Sequence, residues 1–285
     1  MGQHNFPLPA GEGLRVRGEI VVFGSGVISQ RIHANTSGDQ PDDGMDQQLL
    51  LASFIFVIAF FVRALTGFGA GLIAIPVLAL IYPLRFVVPL QLLFEVGLSF
   101  LLIKSVWKDI EWQHALSLLA GLSIGNMSGA YVLATVGDSV LKSILAVVVF
   151  LFSFYLVWTA KNPSPWNIPP KWGFVFGLSG GVFGGSLGMS GPIVVLYLSQ
   201  QITEKNALRA TLIGVFTFAS LWTVGAHFYN GLYTEESLSM ALKLVPAFLL
   251  GTVAGHWAHF RVSEVLFRRL IAGMLFVSGL LLTFA

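Results

Sequence analysis

From Leu49 onward the chain is a succession of continuously apolar runs, most of them near twenty residues long, separated only by short polar or Pro/Gly stretches. A helix of about twenty residues, rising 1.5 Å per residue, crosses a hydrocarbon core of roughly 30 Å. The runs are rich in Leu, Ala and Phe and show no period-two alternation, which drops a membrane β-barrel. Composition agrees: 11% of residues are charged and 55% hydrophobic, where soluble domains carry about 25% charged residues. The expected fold is an all-α polytopic membrane protein with the lipid bilayer as its solvent.

Several chemistries fall away early. There is no Cys, so disulfides, thiolate metal sites and cysteine nucleophiles are excluded. His256 and His259 are three apart with no third ligand near them in sequence, so no metal and no cofactor is expected. No nucleophile elbow, P-loop or zinc-protease helix motif occurs, which leaves catalysis unsupported. A net charge of +2 gives no reason to expect nucleic acid.

Residues 1–44 differ from the rest: they are polar, Gly- and Pro-rich, and hold one short apolar stretch, Ile20-Val21-Val22-Phe23. They read as a disordered, non-native N-terminal extension, with translation starting at Met45. The apolar segments that follow are A (49–66), B (70–82), C (86–107), D (113–135) and E (139–160), then A′ (172–187), B′ (189–200), C′ (205–230), D′ (236–259) and E′ (263–284). The loop 161–171 holds four prolines and reads as a linker. The domains are therefore a first transmembrane repeat over 45–160 and a second over 172–285.

The two halves read as copies. A shift of 121 places Gly67–Leu72 on Gly188–Ile193 and Arg85–Gln91 on Asn206–Leu212; by segment D the shift is 126, and Gly125, Gly129 and Lys142 meet Gly251, Gly255 and Arg268. Repeats of this size mark secondary transporters, whose sites lie at the repeat interface. B and B′ are too short to span, so A–B and A′–B′ each form a Gly-rich broken or re-entrant helical hairpin, followed by three transmembrane helices. An odd number of crossings per half makes the repeats inverted. With the N-terminus outside, the inner loops carry Lys104, Lys108, Lys161, Lys171, Lys205, Arg209, Arg261, Arg268 and Arg269, and the outer loops only Arg85, Lys142 and Lys243. The positive-inside rule favours this arrangement.

The glycines at the two hairpin breaks carry the strongest local signal. Non-helical backbone at membrane depth persists only where protein or a water-filled cavity satisfies it, and helix N-termini meeting there suit an anion. The candidate substrate-binding residues are Thr66, Gly67, Phe68, Gly69, Gly71, Gly188, Ser190, Gly191 and Pro192, with Arg63 or Arg209 adding positive charge. For Gly125, Gly129, Gly251 and Gly255 close helix packing is the preferred reading. Glu95 lies mid-segment with Gln91 and Ser99 on the same helical face. A charge at the bilayer centre costs on the order of 3 kcal/mol even on insertion scales. Glu95 and Gln91 are thus candidates for proton coupling, against a structural Arg63–Glu95 pair or a protonated Glu95 bonded to Asn126. His227 is expected at the interface.

Thr66-Gly67-Phe68-Gly69-Ala70-Gly71-Leu72-Ile73-Ala74-Ile75-Pro76, its counterpart from Gly188 to Leu198, and Asp109-Ile110-Glu111-Trp112 make the chain resemble the TauE/SafE family, also called the sulfonate uptake permease superfamily. The resemblance spans about residues 47–285. It implies a multi-pass transporter of the inner (plasma) membrane, usually an exporter, for a small anionic substrate such as sulfite or an organosulfonate. Other small anions, a channel, or a membrane-embedded assembly factor or intramembrane enzyme are the alternatives, and a homo-oligomer stands open beside a monomer. Gly69-Ala70-Gly71 stands where many members have three glycines, and Glu95 lies outside the motif.

Overall fold

The structure, a computed structural model, describes residues 43–66, 69–159, 168–258 and Phe276. Among them are nine α-helices and no strand: α1 (Asp43–Thr66), α2 (Ala70–Leu78), α3 (Leu84–Val106), α4 (Trp112–Thr135), α5 (Asp138–Thr159), α6 (Gly173–Leu187), α7 (Gly191–Gln201), α8 (Lys205–Tyr229) and α9 (Glu235–Ala258). Five stretches, Gln47–Ala64, Leu84–Asp109, Trp112–Thr135, Asn206–Tyr229 and Glu235–Trp257, are long and apolar enough to cross a bilayer. The protein is an all-helical, multi-pass membrane protein.

Helix ends fall where local chemistry puts them. α2 stops at Leu78, and the chain runs on through hydrogen-bonded turns to Tyr82, whose backbone Pro83 biases away from helical geometry. Pro83 then precedes α3 with an extended backbone. The Glu204 carboxylate accepts from the Asn206 and Ala207 N–H groups at the start of α8. These backbone donors hold its pKa below the usual glutamate value. α1 begins at Asp43, two residues ahead of Met45. The reading of the N-terminal extension otherwise concerns residues 1–42, and segment E′ and most of the Pro-rich linker also lie outside the described residues.

Hydrogen bonds between helices fix which way each one runs. The Leu84 N–H donates to Asp138 (2.7 Å), and Arg85 donates to the carbonyls of Leu133 (3.0 Å) and Val136 (3.1 Å). The start of α3, the end of α4 and the start of α5 therefore share one face of the bundle, here the first face. At the second face the Glu111 N–H donates to the Thr211 hydroxyl (2.9 Å), joining the starts of α4 and α8. The Tyr233 hydroxyl reaches the Pro89 carbonyl (3.5 Å) and brings the α8–α9 loop back to the first face.

Glycines set the closest helix pairs. A Cβ at Gly121, Gly125 or Gly129 of α4 would strike backbone atoms of Phe174–Leu178, Leu178–Val182 and Val182–Ser186 in α6. Gly251 and Gly255 of α9 meet Val57 and Phe61 of α1 in the same manner. Numbers rise together in both pairs, so α4 runs parallel to α6, and α9 to α1. It follows that α1, α3 and α9 leave the first face while α4, α6 and α8 leave the second. The end of α3 with Lys104 and Lys108, the start of α6 beside Lys171 and the start of α8 with Arg209 lie at the second face; Arg85 and Lys142 lie at the first.

Two apolar cores flank the midline. Phe56 and Phe60 of α1, Phe94 of α3 and Phe248 of α9 pack with ring centroids 4.8 to 5.9 Å apart, contacts worth roughly 0.5–1.5 kcal/mol each beyond their buried area. A second core joins Leu118 and Leu122 of α4, Val194 and Tyr197 of α7, and Val215 and Phe216 of α8. Leu50, Phe54, Leu101, Leu151, Leu242 and Leu250 are exposed on the outside, as expected of side chains that meet lipid tails.

Candidate functional site

Both short helices begin at a glycine-directed break. Gly69 precedes α2 with φ of 101°, and Gly188 ends α6 with φ of 67°, conformations that L side chains adopt only under strain. The Gly188 and Met189 N–H groups turn back to the carbonyls of Gly184 (3.0 Å) and Phe183 (3.2 Å). The two breaks touch: a Cβ on Gly71 would sit 2.8 Å from the Gly188 carbonyl oxygen, and one on Gly188 would collide with Ile75. The backbones of the two hairpins approach directly at Gly71 and Gly188, with the Ile75 side chain packed beside them. With nine and eleven residues, α2 and α7 are about 14 and 17 Å long, and each starts inside the bundle. In the first turns, Leu72 N–H bonds the Gly69 carbonyl and Val194 N–H that of Ser190 (3.1 Å each), Pro192 has no N–H, and the N–H groups of Ala70, Gly71, Gly191 and Ile193 precede any intrahelical acceptor.

Against this crossing lies a cavity of about 50 Å³, lined by Arg63, Gly69, Gly71, Leu72, Leu92, Glu95, Asn126, Gly184, Gly188, Met189, Ser190, Gly191, Phe216, Ala219, Ser220 and Thr223. A single water needs only about 10–15 Å³ by the same measure, so the space admits a small polyatomic anion. The Arg63 guanidinium pairs with the Glu95 carboxylate at 2.6 Å, the side chains being 6% and 14% exposed. Gln91 donates to Glu95 at 3.4 Å, and the Arg63 Cζ lies 5.8 Å from the Phe216 ring centroid. Ser220 and Thr223 donate to carbonyls of their own helix, Thr217 (3.2 Å) and Ala219 (2.7 Å).

Several polar atoms around the cavity are buried without a partner: Arg63 Nε, both amide atoms of Asn126, Gln91 Oε1 and Ser99 Oγ. Each unpaired buried group costs about 1–3 kcal/mol, and native proteins keep few of them without water, an ion or a ligand. Three of these atoms belong to two side chains that line the cavity, Arg63 and Asn126, so the wall holds unused donors beside its positive charge.

Of the residues singled out in the sequence, the structure brings Arg63, Gly69, Gly71, Glu95, Gly188, Ser190 and Gly191 to one cavity. Gln91 stands behind, bonded to Glu95, and Pro192 follows Gly191 in the first turn of α7 without lining the space. Arg209 is exposed on the second turn of α8 at the second face, away from the cavity. The Thr66 side chain, Gly67 and Phe68 lie outside the described residues. The second-half glycines divide by face: Gly177, Gly181 and Gly185 pack on α4, while Gly184, Gly188 and Gly191 line the cavity. Asn126, Phe216, Ser220 and Thr223 were not among the candidate site residues. An amide inside the apolar run of α4 was the available signal for Asn126.

His227, two residues from the end of the apolar stretch Asn206–Tyr229, is buried within the protein, its Nε2 2.8 Å from the Gly185 carbonyl. That carbonyl belongs to the last turn of α6, where intrahelical donors run out, and the histidine on α8 reaches in to meet it.

Comparison with known proteins adds a family. A family model described as "Sulfite exporter TauE/SafE" matches residues 51–282. The "Probable sulfite/organosulfonate exporter TauE" of Cupriavidus necator is 24% identical over 221 residues, covering 76% of this chain and 86% of that protein. No solved structure matches.

Proposed function

This chain belongs to the TauE/SafE family of membrane transporters and is a multi-pass protein of the inner membrane; from that premise we propose that it is a secondary transporter, in the export direction, for sulfite or a small organosulfonate. The substrate sits in the cavity where the two glycine breaks cross. There it meets the Arg63 guanidinium, the Asn126 amide, the Ser190 hydroxyl and the N-termini of α2 and α7. The single observation that carries this reading is the set of unpartnered buried donors, Arg63 Nε and Asn126 Nδ2, on the wall of that cavity. The relative's name supports the sulfur-anion class.

The two halves are read as inverted repeats of one another, over 45–160 and 172–285. Their contacts exchange: Gly125 and Gly129 meet Leu178 and Val182, while Gly251 and Gly255 meet Val57 and Phe61. These are the pairs that shifts of 126 and 121 interconvert. α1 and α6 leave opposite faces, as do α3 and α8, and α4 and α9. Inverted repeats around a midplane site are the architecture by which secondary transporters alternate access. The second face, with most of the basic residues, is taken as cytoplasmic.

Reconstitution of the protein in liposomes tests the proposal. A saturable flux of sulfite or a sulfonate with counterflow, absent from empty liposomes, is the expected result, whereas a channel gives no counterflow. Gly191→Leu, which adds a side chain to the cavity lining, abolishes that flux in protein that elutes as folded; unaffected flux would remove the hairpins from the site.

A further inference from the structure

Arg63 and Glu95 neutralise one another in the wall of the cavity, and among the described lining residues they are the two charged side chains. A guanidinium has five N–H donors in a planar fork. Nη2 of Arg63 is engaged by Glu95 while Nε has no partner, so half of the edge that grips an oxyanion in bidentate fashion is free and half is held by a carboxylate. An anion entering the cavity meets net charge zero, with an acid in the place it needs.

Resting on the anion-transport reading above, we infer that Arg63 and Glu95 form an exchangeable pair: the anion takes the Nε and Nη2 edge of Arg63, and Glu95, displaced, takes up one proton from water, so that anion and proton occupy the site together. The charges balance. Before entry the site holds Arg⁺ and Glu⁻; afterwards it holds Arg⁺, the monoanion and a neutral Glu95, with the proton drawn from the side that supplied the anion. The protonated acid has an acceptor waiting one helical turn away, because Gln91 Oε1 is buried without a partner and a turn of its amide presents it to the Glu95 O–H.

Among the described residues of the second half, no acid lines the cavity. A shift of 121 from Glu95 falls on Phe216, and the Arg63 guanidinium lies between the two, against the carboxylate on one side and 5.8 Å from the ring centroid on the other. With one acid among the described lining residues, the inferred stoichiometry is one proton per anion. Among the described residues, no other element packed on α3 offers a titratable group to Glu95. α2 has none. Asp138 and Lys142 of α5 pair with each other at 3.2 Å, and His114 of α4 lies beside Glu111. On α8, Arg209 is exposed at the second face and His227 meets Gly185. Glu235, Glu236, Lys243 and His256 of α9, Lys108 and Asp109 after α3, and Arg85 and Lys104 at its ends are absent from the cavity lining.

Coupling of this kind makes transport of a monoanion electroneutral, and net flow follows the product of anion and proton concentrations on each side. By linkage, proton and anion each raise the occupancy of the other. The test uses the full chain in liposomes with the membrane potential clamped at zero by valinomycin and equal potassium. A gradient of sulfite, or of methanesulfonate, which stays a monoanion, is imposed while anion uptake and lumenal pH are followed together. The expected result is one proton delivered per anion, at a rate that an imposed potential leaves unchanged. In Glu95→Gln the protons moved per anion fall at least tenfold, whatever rate remains. Wild-type flux without acidification beyond that of empty liposomes, or flux that changes tenfold with potential, overturns the inference while leaving the transport reading in place. Folded wild-type protein that moves neither anion removes that reading and this inference with it. Should Glu95→Gln fail to fold, the wild-type ratio decides alone.

Discussion

Asn126 buries both atoms of its amide and bonds neither, one helical face away from the glycines that hold α4 against α6. An amide left so costs stability unless something completes it; under the proposed transport function the substrate does so. Asn126→Ala therefore weakens anion affinity about ten- to a hundredfold, the value of a hydrogen bond to a charged group. Without anion its thermal midpoint is equal to or above that of the wild type, since an unsatisfied group has been removed; an equal loss of stability with unchanged affinity would make Asn126 a packing residue only. Arg63 and Glu95 were legible as charges inside apolar runs, because the bilayer penalises each of them visibly. Asn126 was less so: a neutral amide carries a smaller penalty, and only the burial of both its atoms separates a ligand-facing side chain from one bonded to its own helix.

Along the helices, glycine does two different things at similar spacings. Gly121, Gly125 and Gly129 repeat every four residues on one face of α4, and Gly177, Gly181 and Gly185 answer them from α6, so the backbones meet with no side chain between them. Gly97 of α3 and Gly225 of α8 have open space where a Cβ would stand. Gly125→Ala would place a methyl group 2.8 Å from Gly181 Cα and Val182 N, an overpacking that costs roughly 1–3 kcal/mol. It lowers the thermal midpoint in detergent by several degrees, while Gly97→Ala is neutral or slightly stabilising. Equal midpoints for the two variants would contradict the close packing. The sequence spacing pointed to packing for Gly125, Gly129, Gly251 and Gly255. It did not divide the hairpin glycines into packing and cavity-lining sets, because a four-residue stripe and a helix break draw on the same residue and differ only in what stands opposite.

At the scale of the whole molecule, the directions of the helices fix which loops share a compartment. The α8–α9 loop lies at the first face with Arg85, and the turn after α3 lies at the second with Lys104 and Lys108. A reporter active only in the cytoplasm is therefore silent when inserted beside Glu235 and active when inserted after Lys108. The reverse pattern would invert the protein in the membrane; activity at both positions would overturn the assignment of helix directions. The exchange of partners between halves gives the two cores similar parts, α1 with α9 in one and α4 with α6 beside the other. The cavity falls where both halves contribute a hairpin break.

The sequence by itself determined that the chain is a bundle of membrane helices, where most of them begin and end, and that two glycine-rich breaks interrupt it. These follow from local chemistry: apolar length, proline, and the freedom of glycine. It also determined that Arg63 and Glu95 needed explaining, since no neighbour in sequence neutralises either. Only the tertiary structure decided that they pair, that Arg209 stays apart from them, that His227 is buried on a carbonyl of α6, and that Asn126 faces the same space as Ser190. Those contacts join residues from helices far apart in the chain. Helical periodicity fixes the face on which a side chain stands, while its partner depends on how whole helices pack, and the backbone contacts of glycines 121 to 129 and 251 to 255 set that packing.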